Sequence, residues 1–468
     1  MDDADLAALS ALDLAATIRR RELSIPEVTE AALRRAAADE LGAFVHLAPD
    51  WATTRARALQ ELLDRPDFTP GPLFGVPLPI KDLNQVVGMP TRFGSPALPE
   101  YLPQADDGIV RLLAEAGTVA LGKTTTPEFG LPCYTEPENQ RPARTPYDPT
   151  RTAGGSSGGA AVAVATQIVP IAQASDGGGS IRIPAACCGL VGLKPSRGRV
   201  SPGPLGVDGV ALSTAGVLTR TVRDTAAALD VLAHRWPGDT FTAPREASFL
   251  AACDVPVAPL RVGVLTDPVI AADAPVHPEA KVAVAKTAQA LADLGHRLEP
   301  APVPFPAEQW DAFEAIWAVG ALGAPVPPEN EHLLRPLTRW LRDKGRTISG
   351  DTYARAVNSA QQTTRGAAEA WADFDVVIMP TLAQPPARIG ELRNDADPAR
   401  DFADQTRFTP WTSVFNITGW PAISLPVHTA AIDGVVLPFG AMLTGKLFDE
   451  ARLLALSAQL EAAGVFAR

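Results

Sequence analysis

Cysteine is scarce in this chain. Its 468 residues include only four cysteines, and two of them, Cys187 and Cys188, are adjacent. Such a set does not form the disulfide framework that stabilises small secreted proteins. We therefore expect the four thiols to be small core residues in a reducing compartment.

Positive charge is also in short supply. The 41 lysines and arginines are outnumbered by 53 acidic residues, which gives a net charge of −12, and only seven of the 41 are lysines. Phosphate backbones and anionic lipid surfaces repel an acidic protein. The composition therefore argues against nucleic-acid binding and against binding to a membrane surface.

No segment has the character of an export signal or a membrane span. Residues 1–5 (MDDAD) are acidic where a signal peptide requires a basic start. The longest apolar stretch, residues 160–174, is too short to cross a bilayer and is interrupted by Gln167 and Pro170. The sequence therefore predicts a soluble cytoplasmic protein, as a monomer or a homodimer.

Motifs for metals and nucleotides are missing as well. The chain contains no P-loop, no H-E-x-x-H, no C-x-x-C and no S-x-x-K, so the sequence predicts neither a metal nor a cofactor. Of the six histidines, only His428 follows a strand-like segment in a position that suits a catalytic triad. A structural histidine at a strand end is the favoured interpretation of it.

What the chain does have is two glycine loops that carry serine. GGSSGG spans residues 154–159, and DGGGSIRIP spans residues 176–184. Glycine lets backbone N–H groups approach a reacting oxygen, and a serine at the end of such a loop presents its hydroxyl beside them. Lys81 follows the apolar run 73–80, where desolvation should lower its pKa towards that of a usable base. Together these features predict an acyl-transfer site.

The first loop also fits the G-x-S-x-G pattern of a nucleophile elbow, with Ser157 as its serine. An elbow requires a buried strand immediately before it, whereas residues 144–152 are polar and interrupted by proline. The pattern therefore argues against Ser157 as the nucleophile.

The spacing of these groups closely resembles that of the amidase signature family of serine hydrolases. Ser156 lies 75 residues after Lys81, and Ser180 lies 24 residues after Ser156. The resemblance is dense over residues 71–230 and resumes at VVIMPT (376–381) and FNITGWPAISLP (415–426). Gly177 and Ala160 depart from the usual pattern, because similar proteins carry a larger side chain at the first and often a polar one at the second.

The family resemblance implies a role for each matching position. Ser180 would be the nucleophile, Ser156 would be a bridging serine with a cis peptide bond, and Lys81 would be the neutral base that takes the proton through Ser156. A serine hydroxyl needs such a positioned, neutral base before it can attack. The oxyanion hole would consist of the backbone N–H groups of Gly177, Gly178, Gly179 and Ser180.

Other residues near the loops have supporting roles in this interpretation. We expect Asp176 and Arg182 to brace the nucleophile loop as an ion pair rather than to contact substrate. Arg199 could donate a hydrogen bond to a substrate carbonyl, although a structural brace is the favoured interpretation. The remaining candidates for substrate contact are Gly130, Leu131 and Pro132.

Alternating strand and helix patterns predict an α/β fold. A capping box begins a helix at Ser24, and residues 107–116 and 277–294 read as further helices beside strands at 119–121 and 260–265. This alternation predicts a mostly parallel, twisted sheet with helices on both faces. The family resemblance implies a mixed central sheet of about eleven strands in one large domain, residues 1–468, with its catalytic signature core at 71–235.

Residues 300–410 form a variable region that we expect to be largely helical and to cover the substrate. Its tryptophans, Trp310, Trp317, Trp340 and Trp371, are interpreted first as core residues and alternatively as an apolar wall over the site. Residues 395–401 are expected to form a mobile loop.

The sequence therefore predicts a hydrolase of linear amides that acts through an acyl-enzyme on Ser180. The expected partner is a small, uncharged and largely apolar or aromatic amide, with aryl or alkyl carbamates and esters as further possibilities. The alternative is a glutaminase-type subunit of a tRNA-dependent amidotransferase, in which the same chemistry releases ammonia for a partner protein.

Overall fold

The computed structural model describes residues 2–98, 101–138, 140–207 and 209–467. Its strands form one sheet of eight and one of three. The strands are β1 (Phe44–Leu47), β2 (Ile80–Lys81), β3 (Gly122–Thr124), β4 (Ile171–Asp176), β5 (Val191–Lys194), β6 (Thr214–Thr219), β7 (Arg261–Val264), β8 (Arg297–Pro300), β9 (Val376–Pro380), β10 (Ala422–Ile432) and β11 (Val435–Thr444).

Strand directions in the large sheet correct one expectation. The order is β4-β6-β5-β10-β11-β9-β7-β8, and each pairing from β4 through to β9 is antiparallel. Only the pairings of β7 with β9 and of β7 with β8 are parallel. The sheet is therefore mixed, as the resemblance implied, but it has eight strands rather than about eleven, because β1, β2 and β3 form a sheet of their own. The prediction of a mostly parallel sheet was wrong. Helix–strand alternation does not determine which strands become neighbours.

A tight hairpin accounts for part of this difference. Strands β10 and β11 are joined by Asp433 and Gly434, both with positive φ (52° and 81°). An Asp-Gly pair in this conformation matches the twist of two long antiparallel strands. The hairpin supplies the centre of the sheet.

The small sheet holds the start of the catalytic core. Its order is β1-β3-β2, with β3 antiparallel to β1 and parallel to β2. The strand expected at 119–121 begins at Gly122 instead, although Val119 still bridges Pro77. Because β2 ends at Lys81, this sheet fixes the backbone of that residue.

Helices surround both sheets. The α-helices are α1 (Asp3–Ala8), α2 (Ala11–Arg19), α3 (Ile25–Ala37), α4 (Pro49–Leu63), α5 (Gly108–Glu115), α6 (Gly158–Ala165), α7 (Arg182–Cys187), α8 (Val222–Leu232), α9 (Phe249–Ala252), α10 (Pro278–Asp293), α11 (Asp311–Gly320), α12 (Pro336–Thr347), α13 (Gly350–Ala370), α14 (Pro398–Phe408), α15 (Val414–Thr418) and α16 (Glu450–Ala462). Short 3₁₀ turns lie at Glu128–Gly130, Ala307–Trp310, Ala321–Gly323 and Pro328–Leu333. The capping box at Ser24 is confirmed, since Ser24 and Glu27 bond each other's backbone N–H.

Residues 300–410 contain α11 to α14 and also β9, a strand of the large sheet. The mobile loop expected at 395–401 is instead partly helical, because α14 begins at Pro398. The carboxylate of Asp397 accepts from the N–H of Arg400 and caps the helix. This helix carries Phe402 towards the candidate site.

The GGSSGG loop leads directly into the buried helix α6. A β-carbon at Gly159 would lie 2.3 Å from the backbone nitrogen of Thr125 and 2.5 Å from the carbonyl oxygen of Ala43. Only glycine permits so close an approach, so α6 packs directly on the small sheet. No helix in the described part of the chain combines the length and apolar character that crossing a bilayer requires.

Candidate active site

Lys81 occupies a fully buried position among three serines. Its Nζ lies 2.8 Å from Ser156 Oγ, 2.9 Å from Ser157 Oγ and 3.1 Å from Ser175 Oγ. Its backbone N–H donates to Gln173 Oε1 at 2.9 Å. Burial lowers the pKa of Lys81 to about 7, and the negative charge of Asp176 opposes part of that change. The neutral form of the Lys81 amine is therefore accessible near neutral pH.

The loop that carries Ser156 is held in one shape. The Gly155–Ser156 peptide bond is cis, and the carbonyl oxygen of Ser156 accepts from Thr126 Oγ1 at 3.1 Å. A β-carbon at Gly155 would lie 2.7 Å from the backbone of Tyr134. Glycine at this position therefore lets the loop pack against its neighbour while Ser156 faces Lys81.

The second loop is braced from beneath by a buried ion pair. Arg182 donates to both carboxylate oxygens of Asp176, at 2.9 and 2.8 Å, and both side chains are fully buried. Asp176 also accepts from the N–H of Ile181 at 3.2 Å and from Asn416 Nδ2 at 2.9 Å. Burial alone would raise the pKa of Asp176, but the charge and hydrogen bonds of Arg182 outweigh it and lower the pKa to about 2. The loop therefore presents Ser180 from a preorganised turn.

One of the expected oxyanion donors, the N–H of Gly179, is directed away from the space beside Ser180. The N–H of Gly179 donates to Asp176 Oδ1 at 2.8 Å, so it points into the brace. This corrects the expectation that Gly179 contributes to the hole. The candidate donors are therefore the N–H groups of Gly177, Gly178 and Ser180. The two serine loops also contact each other, because the N–H of Ser157 donates to the carbonyl of Ser180 at 3.3 Å.

Ser180 opens into a narrow cavity with an aromatic wall, which we call the aromatic cavity. Its volume is about 50 Å³, and its aromatic members are Trp310, Phe313, Trp317 and Phe402. Phe313 stacks between Trp310 and Trp317, with ring centroids 5.2 and 5.3 Å apart. Trp340 packs behind Phe402 at 5.7 Å. These rings come from α11, α12, α14 and the turn before α11, all within residues 300–410.

Three of the four tryptophans of that region have two different environments. Trp310 and Trp317 line the aromatic cavity, whereas Trp371 packs against Trp420 in the core at 6.1 Å. Trp310 is held by its indole N–H, which donates to Ser413 Oγ at 2.8 Å. The core interpretation therefore fits Trp371, while a substrate-covering wall stays a prediction for Trp310 and Trp317.

Glycines of the nucleophile loop make room for these rings. A β-carbon at Gly177 would lie 3.1 Å from the indole of Trp317, and one at Gly178 would lie 3.3 Å from Phe313 Cζ. The departure from the family pattern at Gly177 thus has a physical reason, since a larger side chain there would overlap Trp317.

The three candidate contact residues 130–132 lie beside the serines. Gly130 has a positive φ of 69°, and a β-carbon on it would lie 3.1 Å from Ser156 Oγ. Leu131 and Pro132 line the aromatic cavity together with Cys133. The N–H of Cys133 donates to Gln405 Oε1 at 2.7 Å, which couples this wall to α14. Within the described ranges, no group of three or more His, Cys, Asp or Glu side chains could hold a metal ion.

The sequence of the chain matches a known protein family over most of its length. The family model described as Amidase matches residues 27–454. A putative amidase of Synechocystis sp. is 38% identical over 470 residues, which cover 98% of this chain and 89% of the relative. The 6-aminohexanoate-cyclic-dimer hydrolase of Paenarthrobacter ureafaciens is 37% identical over 427 residues, 85% of this chain and 84% of that protein. The chain belongs to the amidase family.

Solved structures agree with this assignment. A 6-aminohexanoate cyclic dimer hydrolase complexed with substrate superposes with a TM-score of 0.89 at 31% identity, covering 98% of this chain and 97% of that one. A bacterial aryl acylamidase of the amidase signature family superposes with a TM-score of 0.86 at 26% identity, covering 97% of this chain and 96% of that one. The chain is an amidase, a hydrolase of carbon–nitrogen bonds.

Arg199 of this amidase is not a substrate contact. Its guanidinium bonds Glu450 Oε2 at 3.0 Å and the carbonyl of Pro244, and only 3% of the residue is exposed. It also lies over the ring of Phe249, 5.1 Å from its centroid. Arg199 therefore ties the segment after β5 to α16, which corrects its place among the candidate substrate contacts.

His428 lies outside the site, on β10. Its ring nitrogens contact Glu279 Oε2 at 2.6 Å and Lys286 Nζ at 2.7 Å, both on α10. The interpretation as a structural histidine is confirmed by these contacts.

Sequence reasoning missed several residues that hold the site. Gln173 and Ser175 alternate along β4 and both contact Lys81, and the period of two within a strand was the signal that could have found them. Asn416 lies in the FNITGW segment that carries part of the resemblance, yet its contact with Asp176 spans 240 residues. Phe313 and Phe402 offered no local signal.

Proposed function

We propose that this amidase cleaves linear amides through an acyl-enzyme on Ser180, with Ser156 relaying a proton to neutral Lys81. The observation that carries the proposal is the 2.8 Å contact between Lys81 Nζ and Ser156 Oγ, in a position where neither residue is more than 2% exposed. A buried amine with a pKa of about 7 is suited to accept a proton at neutral pH.

Hydrogen-bond directions support Ser156 as the serine that gives its proton to Lys81. The hydroxyl of Ser157 donates to the carbonyl oxygen of Ser175 at 3.2 Å, so its oxygen accepts from Lys81. A neutral amine has two N–H donors and one lone pair. If the donors serve Ser157 and Ser175, the lone pair is left for the hydroxyl of Ser156.

The proposed reaction has two steps, formation of the acyl-enzyme and its hydrolysis. Ser180 Oγ attacks the carbonyl carbon while its proton passes to Ser156 and the proton of Ser156 passes to Lys81. The N–H groups of Gly177, Gly178 and Ser180 stabilise the oxyanion. Collapse breaks the carbon–nitrogen bond as Lys81 returns the proton through Ser156 to the leaving nitrogen. Water repeats the sequence on the acyl-enzyme and releases the acid.

The aromatic cavity favours uncharged, apolar groups beside the scissile bond. Burial of apolar surface contributes about 25 cal/mol per Å², and none of the cavity's described lining residues is charged. The relatives named above support amides over other acyl compounds, because one is named as a cyclic-dimer hydrolase and one as an aryl acylamidase. Aryl or alkyl carbamates and esters are further substrates of the proposed mechanism.

Covalent labelling tests the assignment. Intact mass and peptide mapping after a fluorophosphonate should show one adduct, on Ser180. Ser180→Ala should lower kcat at least about 10⁴-fold, and Ser156→Ala should lower it about 10²- to 10⁴-fold. Ser413→Ala is the matched control, because Ser413 lines the same cavity but bonds only Trp310 among the contacts described above. An adduct on Ser157, or turnover by Ser180→Ala, would overturn the proposal.

A further inference from the structure

A second cavity lies beside the partners of Lys81. It has a volume of about 300 Å³, and we call it the polar cavity after its polar members, which are Asn84, Asp107, Ser175, Ser201, Ser213 and Thr214. Ser175 is partly exposed, whereas Lys81, Ser156 and Ser157 are at most 2% exposed. Ser175 therefore links the two, because it lines the polar cavity and its hydroxyl also contacts Lys81 Nζ.

Gly177 lies at the boundary between the two cavities. A β-carbon on it would be 3.1 Å from Trp317, in the wall of the aromatic cavity, and 3.8 Å from Ser213 Cβ, in the wall of the polar cavity. Leu83 provides a second point of contact, since it lines the polar cavity and packs on Gly130 beside Ser156. Ser180 itself lines the aromatic cavity, whereas the polar cavity approaches the Lys81–Ser156 pair from the side, through Ser175 and Leu83.

The two cavities differ in size and chemistry. The aromatic cavity has a volume of about 50 Å³, whereas the polar cavity has a volume of about 300 Å³. Thr214 Oγ1, in a residue only 7% exposed, has no hydrogen-bond partner among the described residues. Asp107 is the one charged side chain among the described lining residues of the polar cavity. Asp107 Oδ2 already accepts from Asn84 Nδ2 and from the N–H of Gln85, both at 2.9 Å. That cavity therefore offers the unused hydroxyl of Thr214 and the negative charge of Asp107 to a polar or cationic group.

We propose that the polar cavity binds the amine half of the substrate, while the acyl half occupies the aromatic cavity. The preferred substrates are then N-substituted amides with a small acyl group and a larger amine half that bears a hydroxyl or an ammonium group. This inference rests on the proposed function. When the carbon–nitrogen bond breaks, the acyl carbon stays on Ser180, the nitrogen takes the proton returned through Ser156, and the free amine is left in the polar cavity.

Changing the charge of a side chain at the rim of the polar cavity tests where the amine half binds. Val207 lines the polar cavity and is 94% exposed, so it tolerates a charged side chain without disturbing the fold. Val207→Lys and Val207→Glu would be compared on N-acetyl-1,4-diaminobutane, whose amine half is cationic, and on acetamide, which releases only ammonia. The matched control is the same pair of changes at Val436, 54% exposed on β11.

We expect kcat/KM for the cationic amide to be about threefold lower in Val207→Lys than in Val207→Glu, with the difference reduced at high salt. Acetamide should change less than about twofold, and both Val436 variants should match the wild type. Equal responses of the two amides to the Val207 changes would overturn the inference. The proposed function would survive that result as long as acetamide hydrolysis still requires Ser180.

Filling the cavity gives an independent measurement. Ala215 pairs directly with Ser175 across β4 and β6, so their side chains share one face of the sheet. Ala215→Phe should lower kcat/KM for N-butylacetamide at least about tenfold relative to acetamide. A larger loss for acetamide than for N-butylacetamide contradicts the placement of the amine half. If Ala215→Phe does not fold, the comparison of the Val207 variants still tests whether the amine half binds in the polar cavity.

Discussion

The indole ring of Trp317 occupies the space that a side chain at Gly177 would need. A β-carbon at Gly177 would be 3.1 Å from the indole ring, closer than most side chains approach a neighbour. The φ of Gly177 is not positive, so Gly177→Ala changes this contact without straining the backbone.

We expect Gly177→Ala to lower kcat/KM by about tenfold, because it displaces the ring or the oxyanion loop. Trp317→Phe should restore much of that loss, and a double-mutant cycle would measure the coupling. Gly320→Ala is the matched control, since a β-carbon at Gly320 on α11 meets nothing within 4 Å. Additive effects of the two changes would show that the contact has no role in catalysis.

The pH dependence of the rate should report on Lys81. Because burial lowers its pKa to about 7, the neutral base is lost as the pH falls below 7, and the rate should rise with pH and level off on the alkaline side. Lys81→Met should remove the rising limb of this pH profile. It should also slow the hydrolysis of amides more than that of activated esters. An amide profile that keeps its limb in Lys81→Met would reject Lys81 as the base.

Lys194 is the control for this experiment. It is also buried, and burial lowers its pKa to about 7 as well, with the charge of Arg182 acting in the same direction. Its Nζ donates to the carbonyl of Pro195 at 2.7 Å. We expect Lys194→Met to leave the position of the limb unchanged, as measured by kcat/KM against pH.

Removing one partner of the buried ion pair under the nucleophile loop should strongly destabilise the fold. Asp176→Asn leaves the buried guanidinium of Arg182 without a counter-charge, and we expect the free energy of unfolding to fall by about 3–5 kcal/mol. Urea unfolding would measure the change. The exposed pair Arg407–Asp273 is the control, and Asp273→Asn should have no measurable effect. A stable but inactive Asp176→Asn variant would indicate that the pair acts in catalysis rather than in folding.

Arg199 should affect stability and not substrate binding. Arg199→Ala leaves Glu450 buried without its partner, so we expect the free energy of unfolding to fall by about 3 kcal/mol. The KM for amides should remain within about twofold, because the guanidinium contacts no group of the aromatic cavity described above. A raised KM at full stability would return Arg199 to the substrate site.

Local chemistry made some features predictable from the sequence. The capping box at Ser24 and Glu27 needs only residues three apart, and it begins α3 as expected. Asp433 and Gly434 are an equally local signal, and they join the two central antiparallel strands. Helix–strand alternation could not predict the strand directions, since the pairing of β4 with β6 and of β5 with β10 depends on contacts far apart in the chain.

The sequence by itself determined which groups can react. Lys81, Ser156 and Ser180 stand in loops whose glycines and apolar flanks act over a few residues, and such patterns are visible along the chain. Tertiary structure alone decided how those groups are used. It directed the N–H of Gly179 to Asp176, paired Arg199 with Glu450, and brought the rings of the variable region over Ser180. These outcomes depend on distances between segments up to about 250 residues apart, as in the contact between Arg199 and Glu450. Spacing along the chain carries no information about such distances.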